Sequence, residues 1–248
     1  MIKLSVVIPA YNEESNIKLG VLESISKYLS EQKFDWEVLI VDDGSTDSTV
    51  LAAEKFSKIH PGFRVLKEPH RGKGGTVIAG MLAAKGEKIL FTDMDQAAPI
   101  TELDKFFPKF ENGYDIVIGS RTGRKGAPLV RKIMAYGFTF LRLIILRLPY
   151  KDTQCGFKGF TKSASEKIFK RMQVYGNRER ARGAAVTAGF DLELLYIARK
   201  LGLKVAEVPV VWHHKATERI NPIKDSWEGL TDLLRVRINA LKGKYKMT

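Results

Sequence analysis

Short apolar runs alternate with stretches of helical period along the first 120 residues. Lys3–Ile8, Glu37–Val41, Phe63–Leu66, Lys88–Phe91 and Asp115–Gly119 read as strands. Between them, Glu13–Glu31 carries Ile17, Val21, Leu22, Ile25, Tyr28 and Leu29 at helical spacing. Asp47–His60, Gly74–Ala84 and Thr101–Phe110 are predicted as helices, the first with Asp47 as its N-cap. Strands this apolar, alternating with helices, predict an α/β fold with a mostly parallel sheet covered on both faces.

The pattern changes after residue 120. Arg121 through Arg147 holds seven basic residues and no acidic one, and a helix is predicted from Pro128 to Leu148. Lys151–Lys158 reads as polar and turn-prone. Ser163–Met172 and Phe190–Leu201 read as helices, Lys204–Val211 as a strand, and Ile223–Leu241 as a basic amphipathic helix. Gln173–Gly189, polar and rich in small residues, is expected to be a loop. With no repeat or linker in view, residues 1–248 are expected to form one domain.

Charge narrows the function. There are 41 Lys+Arg against 28 Asp+Glu, a net charge of +13, which favours an anionic partner. No aromatic-basic interleaving marks a nucleic-acid binder, so nucleic acid is not expected. The lone Cys155 excludes an internal disulfide and fits a reducing, cytoplasmic compartment. No signal peptide is evident, and no uninterrupted apolar stretch reaches the roughly 18 residues of a membrane span. The apolar run Ile133–Leu148 is interrupted by Arg142 and Arg147; it suits either a headgroup-level interface with an anionic membrane or a buried or oligomeric contact.

Carboxylates gather where ligands bind in open α/β sheets, at the carboxyl ends of strands. Asp42-Asp43-Gly44-Ser45-Thr46-Asp47 follows one apolar run, and Thr92-Asp93-Met94-Asp95 follows another. In so basic a chain, this points to a divalent cation holding a nucleotide diphosphate. Asp93 and Asp95, two residues apart, can share one hard cation such as Mg²⁺ or Mn²⁺; a solvated acidic strand end is the alternative. Pro9-Ala10-Tyr11-Asn12-Glu13 can stack on and hydrogen-bond a nucleoside, or simply punctuate a strand and a helix. Arg71-Gly72-Lys73-Gly74-Gly75 opens a helix and suits a phosphate, or is a solvated basic turn. Arg121, Arg124, Lys125, Arg131 and Lys132 form a basic flank suited to phosphate oxygens. Asp191 and Glu193 open a helix and can serve as a base, an orienting group or helix-dipole partners. Cys155 reads as a packed residue rather than a nucleophile.

Together these residues resemble the inverting family 2 glycosyltransferases of the GT-A fold. The matching pieces are Ser5–Glu14, Asp42–Asp47, Gly72-Lys73-Gly74, Asp93-Met94-Asp95 and Gly119-Ser120-Arg121. Within that group Tyr136-Gly137-Phe138, Asp152–Lys158, Phe190–Leu195 and Glu207–Trp212 resemble the dolichyl-phosphate glucosyltransferase branch. The resemblance implies a nucleotide-sugar site made of Pro9, Ala10, Tyr11, Glu13, Asp42, Asp43, Lys73, Asp93 and Met94. It implies Mg²⁺ or Mn²⁺ on Asp93 and Asp95, an acceptor-phosphate site at Arg121, Arg131, Gln154 and Lys158, and catalytic roles for Asp95, Asp191 and Arg121. Residues 1–120 would bind the donor, UDP-glucose by preference, and residues 121–248 a polyprenyl or dolichyl phosphate at the cytoplasmic face of the membrane. GDP-mannose as donor, or a non-lipid acceptor, are the alternatives. Gln96-Ala97 depart from the family pattern, which places a small or aliphatic residue and then Ser or Gln after the second metal-binding Asp.

Overall fold

Seven strands among the described residues form one sheet: β1 (Leu4–Ala10), β2 (Trp36–Asp42), β3 (Phe63–Lys67), β4 (Lys88–Thr92), β5 (Ile116–Arg121), β6 (Phe157–Thr161) and β7 (Val205–Val210). Their order is β3-β2-β1-β4-β6-β5-β7. The computed structural model describes residues 1–121, 129–174, 189–213 and 222–245, without the side chains of 129–136 and 222–228. All neighbouring pairs are parallel except those made by β6, which runs antiparallel to both β4 and β5.

Strand β6 is the main departure from the sequence reading, which had Lys151–Lys158 as turn and no strand after it. Its alternation is weak because Gly159 replaces a large side chain and Lys158 stands at a buried position. Reversal of this strand has a direct geometric result. The segment before β6 arrives at the same sheet edge where β1, β2, β4 and β5 end.

The apolar strands fill both faces, as a helix-covered parallel sheet requires. Val7, Leu39, Val41, Ile89 and Phe91 pack into one core, and Val6, Ile8, Val38, Ile40 and Leu90 into the other. The first core is closed by α4 (Lys73–Ala83), α7 (Lys162–Phe169) and α8 (Phe190–Lys200), with Leu233 and Val236 of α9 (Pro222–Leu241). The second is closed by α1 (Glu14–Lys18), α2 (Val21–Ser30), α3 (Thr49–Ile59), a 3₁₀ turn (Ile100–Lys105) and α5 (Phe107–Glu111). Helix α6 (Leu129–Leu146) packs against α9.

Two predicted helices are divided. Glu13–Glu31 breaks at Gly20, whose φ of 81° is left-handed, giving α1 and α2. Thr101–Phe110 becomes the 3₁₀ turn followed by α5, with Pro108 in the first turn of α5, where its missing N–H costs nothing. The cap expected at Asp47 is shifted by one: Ser48 holds the N-cap position, while Asp47 Oδ1 accepts from the Thr49 N–H at 2.9 Å. Most of the Gln173–Gly189 loop, with Arg124, Lys125 and the Arg131 side chain, lies outside the described residues.

The small residues of α4 let it lie close on the sheet. A Cβ on Gly80 would fall 2.4 Å from Val7 Cγ1 and 2.7 Å from Val41 Cγ2. Alanine in a helix interior gains about 1 kcal/mol over glycine, but overpacking a filled core costs about 1–3 kcal/mol. Both contacts here are buried strand side chains with no room to retreat, so the steric term wins. Gly80→Ala should therefore unfold at lower urea concentration than the wild type; a raised midpoint would show that α4 is free to slide.

Candidate active site

The loops that follow β1 and β2 are stitched together. Asn12 Oδ1 accepts the Thr46 N–H at 2.9 Å, and the Asn12 N–H donates to Ser45 Oγ at 3.0 Å. The Glu13 N–H donates to Thr49 Oγ1 at 2.7 Å. Asn12 is left-handed, with φ 54°, a conformation asparagine tolerates better than most residues. Asp42 turns its carboxylate back on its own loop, accepting from the N–H groups of Gly44 and Ser45. Asp43 reaches the next loop instead. It accepts the Arg71 N–H at 2.8 Å and the His70 Nδ1–H at 2.9 Å. Pro9, Ala10, Tyr11 and Glu13 therefore share one sheet edge with Asp42 and Asp43.

The next strand end carries two carboxylates. Asp95 Oδ1 accepts the Ala97 N–H at 2.9 Å, and Gln96 donates through Nε2 to Thr92 Oγ1 and to the Asp93 carbonyl. Gln96 adopts φ 49°, an uncommon backbone state for this residue type. The side chain where the family pattern departs thus ties down the Asp93–Asp95 turn. Met94 points away from the edge and is buried in the second core. Asp93 pairs with Lys73 at 2.5 Å, and the Lys73 ammonium lies 5.5 Å from the Phe91 ring centre.

Reversed strand β6 supplies the facing wall. Thr92 is opposite Phe157, so Asp93 lies over Gly156, where a Cβ would fall 1.9 Å from Asp93 Oδ2. Lys158, with no exposed surface, pairs with Asp191 at 2.7 Å and also donates to the Cys155 carbonyl. Its ammonium serves Asp191, at the start of α8, and is not exposed to an acceptor phosphate. Burial pushes the Asp191 carboxyl up, against the pull of Lys158 and Lys73. Burial works to lower Lys73, but Asp93, Asp191 and Asp95 outweigh it and raise it. Burial likewise pushes the Cys155 thiol up to about 11, which agrees with a packing role.

Arg121 is held by Asp152 from the segment before β6. Its Nε and Nη2 donate to the two carboxylate oxygens at 2.6 and 2.9 Å, and its backbone N–H adds a third contact at 3.1 Å. The Arg121 fork expected to hold phosphate thus already grips a carboxylate, and Trp212 lies 5.6 Å from the guanidinium. The loop is fixed in turn. Glu207 accepts the Lys151 and Asp152 N–H groups, and buried Arg142 donates to Thr153 Oγ1 at 2.9 Å and to the Tyr150 carbonyl. Gln154 is exposed beside it, its N–H donating to Asp152. Glu193 is fully buried and accepts from the N–H groups of Gln173 and Val174 and from the Tyr245 hydroxyl, so it pins structure away from the Asp93 edge.

The donor set suits a hard cation. Lys73, Lys158, Asp93, Asp95 and Asp191 form one electrostatic cluster with more carboxylates than ammonium groups. Among the described residues no three acidic, His or Cys side chains converge as a complete metal shell. An ion on Asp93 and Asp95 would therefore complete its shell from water and phosphate oxygens, as Mg²⁺ ordinarily does. Sequence reasoning missed His70, Asp152, Arg142 and the burial of Lys158. The one signal for the last was the apolar company of Phe157 and Phe160.

A model of glycosyl transferase family 2 matches residues 5–169. The chain belongs to this family. Dolichyl-phosphate beta-glucosyltransferase of Dictyostelium discoideum is 34% identical, over 99% of this chain and 77% of that protein. Among solved structures, mannosyl-3-phosphoglycerate synthase from Rubrobacter xylanophilus matches with a TM-score of 0.71 and 17% identity, over 99% of this chain and 76% of its own. Glucosyl-3-phosphoglycerate synthase from Mycobacterium tuberculosis, crystallised with Mn²⁺, UDP-glucose and phosphoglyceric acid, matches with a TM-score of 0.65 and 22% identity, over 95% and 80%. The family member described here shares their GT-A fold, and it is a glycosyltransferase.

Two outcomes check this geometry. Gly156→Ala should displace the Asp93 carboxylate and weaken Mn²⁺ binding in calorimetry, while the far-UV spectrum stays that of the folded chain; unchanged binding would mean that Asp93 does not define the ion site. Burial pushes the Asp152 carboxyl up, yet the Arg121 hydrogen bonds and charge hold it below the usual range. Its contribution is thus complete above its unfolded value of about 3.9 and is lost as pH falls through the lower folded value. The difference in urea midpoint between wild type and Asp152→Asn should be constant near neutral pH and shrink below about pH 4.

Proposed function

We propose that this glycosyltransferase moves glucose from UDP-glucose to a polyprenyl phosphate of the dolichyl class, inverting the anomeric centre. The observation that carries the reading is the junction of the Asp93–Asp95 turn with the reversed strand β6 at one sheet edge. In this reading the donor binds on the side of residues 1–120 and the acceptor on the side of residues 121–248, with the carboxylate pair between them. Near-full-length similarity to a dolichyl-phosphate beta-glucosyltransferase supports the acceptor and the sugar.

In this reading an acceptor phosphate oxygen attacks the sugar C1, the bond from C1 to the diphosphate oxygen breaks, and its electron pair leaves with UDP. A phosphate monoester has a second pKa of about 6, so its dianion is present at neutral pH without a strong base. Arg121, set by Asp152, orients that phosphate together with Arg131. Lys73 meets the departing diphosphate, whose growing charge dominates the barrier. Asp191, steadied by Lys158, orients a sugar hydroxyl or the acceptor. Asp93 and Asp95 would hold Mg²⁺ or Mn²⁺, which supplies further charge neutralisation at the leaving group.

The lipid acceptor gives a reason for the outer face of α6. Phe140 and Ile144 are 62% and 59% exposed, and Leu141 and Leu143 are exposed beside them. No helix among the described residues is long and apolar enough to cross a membrane. We propose that this face lies on an anionic leaflet, where basic residues contribute about 1 kcal/mol each near the surface.

Incubation with UDP-glucose, GDP-mannose or UDP-N-acetylglucosamine and a polyprenyl phosphate, with the product identified by mass, tests the reaction. Glucolipid formed from UDP-glucose alone is expected, and it should fall at least about a hundredfold in Asp95→Asn, as for loss of a main electrostatic element, with the fold retained. Transfer only to a water-soluble acceptor would overturn the lipid assignment. Vesicles containing anionic lipid should bind the chain at low salt and release it at high salt.

A further inference from the structure

Tyr11 and His70 come from loops after different strands, yet their rings are stacked, with centroids 4.4 Å apart and planes 15° from parallel. His70 is fixed in that pose. Its Nδ1 sits 2.9 Å from Asp43 Oδ2 and 3.0 Å from the Asp43 carbonyl oxygen. Both partners are acceptors, so Nδ1 carries the hydrogen, and the tautomer and ring plane are set together. The fit is close from the other side as well. A Cβ on Gly44, itself left-handed at φ 71°, would meet the His70 backbone N at 3.2 Å and its Cβ at 3.3 Å. Asp43 also holds the Arg71 N–H at 2.8 Å, one residue before Gly72 and two before Lys73.

These contacts change the role of Asp43. Its carboxylate is committed to the loop that leads into α4, and through His70 it reaches Tyr11. A tyrosine in a loop after a strand would otherwise sample several rotamers, and each one given up on ligand binding costs free energy. A stacked partner that is itself pinned removes that cost in advance.

We propose that His70, clamped by Asp43, is a positioning residue that backs the Tyr11 ring so that its opposite face is presented to the base of the nucleotide donor. The proposal rests on the nucleotide-site reading given above. An aromatic pair contributes about 0.5–1.5 kcal/mol beyond its buried area, so loss of the backing ring should weaken nucleotide binding about threefold to tenfold.

The probe is UDP with Mn²⁺, titrated calorimetrically into the full chain. His70→Ala should weaken UDP binding by that factor, and His70→Phe, which keeps a flat ring behind Tyr11, should recover most of it. A double-mutant cycle separates positioning from general loosening. If His70 acts through Tyr11, its effect should vanish in a Tyr11→Leu background, so the double variant should bind UDP as weakly as Tyr11→Leu alone. In turnover, His70→Ala should raise the donor KM by more than it lowers kcat and leave the acceptor KM in place. UDP binding within twofold of wild type in His70→Ala, or two effects that multiply independently, would overturn the proposal while leaving the nucleotide site standing. A wild-type chain that binds no UDP would overturn both.

Discussion

Two ion pairs, Lys73 with Asp93 and Lys158 with Asp191, hold the edge of this sheet together. Lys158, with no exposed side-chain surface, and Asp191, 14% exposed, would each be strongly disfavoured as isolated charges. They are tolerated because they lie 2.7 Å apart, while Lys73 and Asp93, each about a third exposed, pair at 2.5 Å nearer the surface. The pairs also respond to one another: Asp191 contributes to the elevation of Lys73, and Asp93 to that of Asp191. Pairs of either kind are weak sources of stability; their effect at this edge is on geometry. Here they fix the separation between the turn after β4, the start of α4, the reversed strand and the start of α8.

That lattice depends on backbone topology more than on side-chain choice. With six strands in one direction, the sheet edge would collect only loops that leave it. The antiparallel β6 adds a loop that enters, and that loop carries Asp152 to Arg121 and Gly156 to Asp93. Arg142 and Glu207 secure the same loop from α6 and from β7. The loop before β6 is therefore held by β5, α6 and β7 and packs against the turn after β4.

This explains which parts were legible beforehand. Strands β1, β2, β4 and β5 are buried over most of their length, so their apolar runs announced them, and the acidic residues at the ends of β2 and β4 stood out by contrast. The helix at Glu13–Glu31 was legible as a period, but one glycine with positive φ divided it, and a period cannot register that. Strand β6 was hidden because Lys158 and Gly159 interrupt its alternation, and a buried lysine is read as surface until its partner is known. For Arg142 the pattern left a membrane interface and a buried contact both open; it is 3% exposed and turned toward Thr153, the buried alternative. Polar residues whose partners lie far along the chain are the ones that local pattern misassigns.

The ion pairs are distributed so that each is internal to one half of the chain. Lys73 and Asp93 both precede β5, and Lys158 and Asp191 both follow it. Exchange of the chain after β5 would therefore split neither pair. The tight steric condition at that seam is the missing side chain at Gly156, which leaves room for Asp93. Replacing the chain after β5 with a relative's would thus require a glycine at this position and a charge pair matched to Lys73 and Asp93.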